Sequence, residues 1–169
     1  MMRSWAVFDS PVQNALHAIK YRRNIGLADA IAADMMQFAQ QLNWNVDMLI
    51  PIPLGKARLK ERGYNQVALV ARPLAHELGI RYAPNGVKKV RETRSQVGLN
   101  AAERRENVRA AYQADPSEVK RKSILLMDDV ATTGSTITAC AEALISAGAA
   151  EVYALTIARA LSHHDLNRV

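Results

Sequence analysis

The sequence holds a single cysteine, Cys140, in 169 residues, so no internal disulfide can form and no cysteine-built zinc finger is present. Aromatics make up only 5% of the chain. No apolar stretch approaches the roughly 20 residues that cross a bilayer. The opening MMRSWAVF lacks the apolar core of a signal peptide, and the expected location is cytoplasmic. No glycine is followed at the right spacing by Gly-Lys-Ser/Thr, which excludes a Walker A loop. No helix-turn-helix signature is present either. What remains is 49% apolar residues, mostly aliphatic, in a length that fits one domain over 1–169. That composition suits an α/β domain of aliphatic strands and Ala-rich helices.

The net charge is +6. Its basic residues gather in KARLKER (56–62), KKVRETR (88–94), ERRENVR (103–109) and KRK (120–122), mostly in predicted loops. Basic loops serve an anionic small molecule as well as they serve DNA, so charge alone leaves nucleic acid open as a partner.

The chain is organised around SILLMDDVATTGSTI, from Ser123 to Ile137. The run Ile124, Leu125, Leu126, Met127 reads as a strand buried on both faces, as in a parallel sheet covered by helices. Asp128 and Asp129 then stand at its carboxyl end, where open α/β sheets bind ligands. The turn through Thr132, Thr133, Gly134, Ser135 and Thr136 opens a helix, whose first amides and dipole favour a phosphate. Carboxylates for hydroxyls beside amides for phosphate describe a sugar phosphate.

Other elements follow along the chain. Asp9-Ser10-Pro11 caps a helix over 11–21, and its basic end (Lys20, Tyr21, Arg22, Arg23) reads as solvated. A second helix runs from Leu27 to about Leu42, with Met35 and Met36 as core filler. A strand over 47–52 ends at Pro51 and Pro53, a basic loop spans Leu54 to Gly63, and RGYNQ starts a helix to about Leu78. A third strand is expected over 87–90 and another over 152–157. Cys140 lies on the helix after residue 135 and reads as a small buried residue. Residues 91–112 are polar and charged, long enough for a lid or binding loop, with Asn100 and Glu103 capping a short helix near 101–106. His163 and His164 lack partners at metal-ligand spacing.

The four aliphatics, two acids, hydrophobic pair and TTG of the central stretch resemble the 5-phosphoribosyl-1-pyrophosphate (PRPP) signature of type I phosphoribosyltransferases. The resemblance implies an α/β fold, a parallel Rossmann-like sheet flanked by helices, with a flexible lid. It implies that Asp128 and Asp129 hold the ribose hydroxyls and face the metal indirectly, through those hydroxyls or water, and that Ala131, Thr132, Thr133, Gly134, Ser135 and Thr136 wrap the 5-phosphate. Mg2+ is the implied cofactor. The basic loop after the second strand is implied to meet pyrophosphate, through Arg58 and Arg62 with Arg91 and Arg94, whereas Lys60 reads as solvated. PIPL, RGYNQ, RETRSQVGLNAAERRENVRAAY and VYALTIAR narrow the likeness to the competence protein F family. Its pattern marks Arg62, Gly63, Asn65, Gln66, Arg91, Thr93, Gln96, Leu99, Arg104 and Asn107. Members commonly begin with a cysteine-rich zinc module whose cysteines this sequence lacks.

Three functions stay open at this point: phosphoribosyl transfer to an unidentified acceptor, PRPP binding without turnover in DNA uptake or use, and DNA binding through the basic loops. Tyr112 is the one aromatic expected above the site, so a nucleobase acceptor is not specified. Oligomerisation is left open.

Overall fold

The apolar run at Ile124–Met127 is the centre of the molecule in a computed structural model that describes residues 1–91 and 111–160. Each of its four side chains is almost wholly buried. The run lies in β6 (Ser123–Ala131), third in a five-stranded parallel sheet. The strands are β1 (Met2–Val7), β2 (Met48–Pro51), β3 (Arg81–Tyr82), β6 and β7 (Glu151–Arg159), in the order β1-β7-β6-β2-β3. Register places Leu125 between Leu49 and Tyr153, and Asp128 beside Thr156.

Alternation along β6 explains why its apolar run is unbroken. Leu125 and Met127 join Leu49, Leu155 and Ile157 in one core, against α1 (Ser10–Arg22), α2 (Ile25–Gln41) and α4 (Gln66–Glu77). Ile124 and Leu126 join Met48, Ile50 and Ala154 in a second core on the opposite face. That face is covered by α6 (Ser135–Ser146), with Ile137, Cys140 and Leu144 pointing inward. A strand with a core on each side has no polar face to offer.

Local signals place the helices. Asp9 accepts the Val12 amide at 3.2 Å with Pro11 in the first turn of α1, and Asn24 accepts the Leu27 amide at 3.0 Å to start α2. Asn65 caps α4 through the Val67 amide at 3.0 Å. A short α5 (Pro116–Val119) precedes β6.

Four expectations need adjustment. The basic segment expected as a loop folds as the helix α3 (Lys56–Arg62), closed by Gly63 in the left-handed region at φ 76°. The strand expected over 87–90 is β4 (Val87–Lys89), which leaves the main sheet and pairs antiparallel with β5 (Tyr112–Ala114). β6 runs on to Ala131, longer than the strand expected from its apolar run, with the acid pair near its carboxyl end as expected. β1 and β3 were not expected, since the first is a half-buried edge strand and the second only two residues long. The helix near 101–106 lies outside the described residues.

Candidate functional site

Asp128 and Asp129 sit side by side near the carboxyl end of β6, and their carboxylates are held differently. Asp128 accepts the Asp129 amide at 2.9 Å through Oδ1. Asp129 accepts the Val130 amide at 2.8 Å through Oδ1. Its Oδ2 accepts the Lys20 ammonium at 2.7 Å and the Gln66 side-chain amide at 3.0 Å.

The electrostatics diverge accordingly. Burial, and then the charge of Asp129, raises the Asp128 carboxyl well above the usual carboxylate range, with only a smaller pull from Lys20. Burial also works to raise Asp129, yet the Lys20 charge and the bonds from Lys20, Gln66 and the Val130 amide outweigh it, and the group lies below its ordinary value.

The RGYNQ segment braces this pair. Arg62 donates to the side-chain oxygen of Gln66 and lies 5.5 Å from the centre of the Tyr21 ring. Tyr64 places its hydroxyl 2.6 Å from the Ile19 carbonyl and 2.9 Å from that of Lys20, and accepts the Arg23 amide at 3.2 Å. Asn65 donates to the Ile52 carbonyl at 2.9 Å, tying the start of α4 to the end of β2. The motif therefore fixes the last turn of α1, the β2 exit and Asp129 at once.

After Ala131 the chain turns through Thr132 and Thr133 to Gly134, which takes φ 75° and stands at the N-cap of α6 without a side chain. Thr133 and Ser135 hydroxyls are 2.8 Å apart, and the Ser135 amide donates to Thr133 Oγ1 at 3.4 Å. Thr132 and Thr133 are exposed while Ala131 and Ser135 are buried. An exposed hydroxyl pair at a helix start suits an anion.

The structure thus brings together Asp128, Asp129 and the 131–136 turn, with Arg62 linked through Gln66. Arg58 is exposed on α3, Arg91 is exposed at the edge of the described residues, and Arg94 lies outside them, as do most of the expected lid and His163 and His164. Lys20 corrects the sequence reading. It is not a solvated helix end: its side chain is only 25% exposed and pairs with Asp129. The available signal was its spacing, since Lys20 follows buried Leu16 by four residues and shares its helix face. Cys140 is buried, and burial followed by the Asp128 charge pushes its thiol up, which suits packing rather than reactivity.

No group of three or more His, Cys, Asp or Glu side chains able to hold a metal occurs among the described residues. Two adjacent carboxylates still fit Mg2+, a hard cation that takes few protein ligands and completes its shell with water and phosphate oxygens.

Residues 21–167 match the phosphoribosyl transferase domain family. The chain belongs to that family. Within it, the chain falls in the competence protein F branch. It is 31% identical over 159 residues to the DNA utilization protein YhgH of Salmonella typhi, covering 91% of this chain and 70% of the relative. It is 37% identical over 116 residues to competence protein F of Haemophilus influenzae, covering 68% and 51%. Among solved structures, the glutamine PRPP amidotransferase of Bacillus subtilis aligns with a TM-score of 0.54 and 23% identity, covering 78% of this chain and 26% of that one. The adenine phosphoribosyltransferase of Thermoanaerobacter pseudethanolicus aligns with a TM-score of 0.50 and 15% identity, covering 81% and 82%. These likenesses establish the phosphoribosyltransferase fold. No helix among the described residues of this domain is long and apolar enough to cross a membrane.

Proposed function

We propose that this domain binds PRPP and transfers its phosphoribosyl group to an acceptor, releasing pyrophosphate. The observation that carries the reading is the acid pair followed, after the four residues 130–133, by the Gly134-capped start of α6, at the carboxyl end of the central strand. In the transfer, the bond from the anomeric carbon to the pyrophosphate oxygen breaks and a bond from the acceptor's nucleophile forms. The ribose gains positive charge and the leaving group negative charge, so catalysis rests on positioning and electrostatics.

The residues divide this work. Asp128 accepts the ribose hydroxyls, and Asp129 beside it keeps the strand end in place. Thr132, Thr133 and the first amides of α6 seat the 5-phosphate, with Ala131, Ser135 and Thr136 shaping the turn. Arg58, Arg62, Arg91 and Arg94 balance the pyrophosphate. Mg2+, held through ribose hydroxyls and water facing Asp128 and Asp129, would supply further charge neutralisation for the leaving group. The site is proposed to work in the cytoplasm.

The decisive assay is pyrophosphate release from PRPP, with magnesium, over a panel of bases and amines. Release that depends on one acceptor supports transfer. PRPP binding with no release over the whole panel supports the second reading, a PRPP-binding accessory factor, which the names of the DNA utilization and competence relatives favour. No PRPP binding removes both.

A further inference from the structure

Lys20 has no place in the assignment above, and the family match begins one residue after it. Its surroundings are nonetheless those of a built site. Asp129 receives three donors, from Lys20, Gln66 and Val130, which uses most of the roughly four acceptor positions of a carboxylate. Asp128 receives the neighbouring amide but neither Lys20 nor Gln66, so it is the acid with capacity left for a ligand. The pair is therefore asymmetric, and the ammonium on Asp129 maintains the asymmetry.

The position of that ammonium is fixed from outside the acid pair. Lys20 occupies the last turn of α1, whose carbonyls at Ile19 and Lys20 are gripped by the Tyr64 hydroxyl. Tyr64 stands one residue before the α4 cap and two before Gln66, the other donor to Asp129 Oδ2. One short segment thus sets both groups that hold this oxygen.

Charge gives the arrangement a purpose. A sugar phosphate is strongly anionic, and two adjacent bare carboxylates would repel it through a partly buried medium. Lys20 offsets the charge of Asp129 and leaves the Asp128 carboxyl as the acid with room for the ligand.

We propose that Lys20 is a positioning residue of the PRPP site, fixing Asp129 and offsetting its charge so that Asp128 presents its carboxylate to the ribose. The proposal rests on the PRPP-binding reading. Because the effect acts at the ribose end, it is felt equally by PRPP and by ribose 5-phosphate, unlike a loss among the pyrophosphate arginines.

The test is a pair of titrations, PRPP with magnesium and ribose 5-phosphate, against the parent, Lys20→Met and Lys20→Arg, at a temperature where circular dichroism shows all three folded. Lys20→Met should lose about tenfold or more in affinity for both ligands by a similar factor, as expected for a charged hydrogen bond. Lys20→Arg, which keeps the cation, should recover most of it. Should methionine not be tolerated, Lys20→Gln supplies the same comparison with the charge removed and a donor kept. Affinity equal to the parent's in the neutral variant, even with a lowered melting temperature, overturns the proposal, as does a loss confined to PRPP. A parent that binds neither ligand overturns the PRPP reading itself, an outcome visible before any variant is made.

Discussion

The Asp129 amide donates to the Asp128 carboxylate at 2.9 Å, so the two acids are joined through the strand while Asp129 alone bonds Lys20 and Gln66. Asp129 is turned to Lys20 and Gln66, and Asp128 is left with burial and a negative neighbour. Their protonation is pushed in opposite directions as a result. Such separation of neighbouring titratable groups is a frequent mark of functional sites.

Stability should record this split. Asp129 is held below its ordinary value, so its contribution is present above the unfolded value of about 3.9 and is lost as pH falls through the folded one. Asp128 is held above, so the folded state binds the extra proton and stability falls as pH rises between the unfolded and folded values. Asp128→Asn should therefore melt higher than the parent at pH 7, with the gain shrinking towards pH 4. Asp129→Asn should lose roughly 1–3 kcal/mol at pH 7, because Lys20 is left without its anion. Thermal and urea unfolding from pH 4 to 8 checks both, and a destabilised Asp128→Asn would be inconsistent with the split.

Gly134 holds the turn before α6 at φ 75°, and a Cβ there would meet nothing within 4 Å. The cost of substitution is thus conformational rather than steric. Gly134→Ala should lose about 1–2 kcal/mol, and Gly134→Asn less, since asparagine tolerates the left-handed region. Urea denaturation of the two variants gives the order, and alanine at no cost would contradict it.

Arg62 separates the ligand readings. If it serves pyrophosphate, Arg62→Ala weakens PRPP more than ribose 5-phosphate, which carries no leaving group. If the basic segments serve DNA, the same change lowers DNA affinity and reduces the salt slope by about one per lost phosphate contact. Titration of all three ligands against the variant decides, and an unaltered preference for PRPP with DNA binding lost would favour the DNA reading.

The central strand, the placement of the acid pair near its end and the turn into the next helix were legible because each is local: an apolar run buried on both faces, then polar groups in a fixed order. α1 was legible from Asp9-Ser10-Pro11 and its apolar spacing, α2 from its spacing, and α4 from the RGYNQ start, whereas the Asn24 and Asn65 caps emerged with the structure. The basic segment of α3 was misread because its charges resemble those of a loop, and Gly55 and Gly63 bound it on both sides. β3 was invisible since two residues carry no period. Lys20 was misread for a different reason. Its partner lies 109 positions away in sequence, and only the folding of α1 over β6 brings them together.

Calorimetric titration of PRPP, with magnesium, into the parent and Asp128→Asn tests the ribose assignment most directly. Loss of the ribose-facing acceptor should weaken binding by about 1.5–3 kcal/mol, roughly ten- to a hundredfold, with the variant at least as stable as the parent at pH 7. Equal affinity of the two proteins for PRPP would contradict the assignment of Asp128 to the ribose.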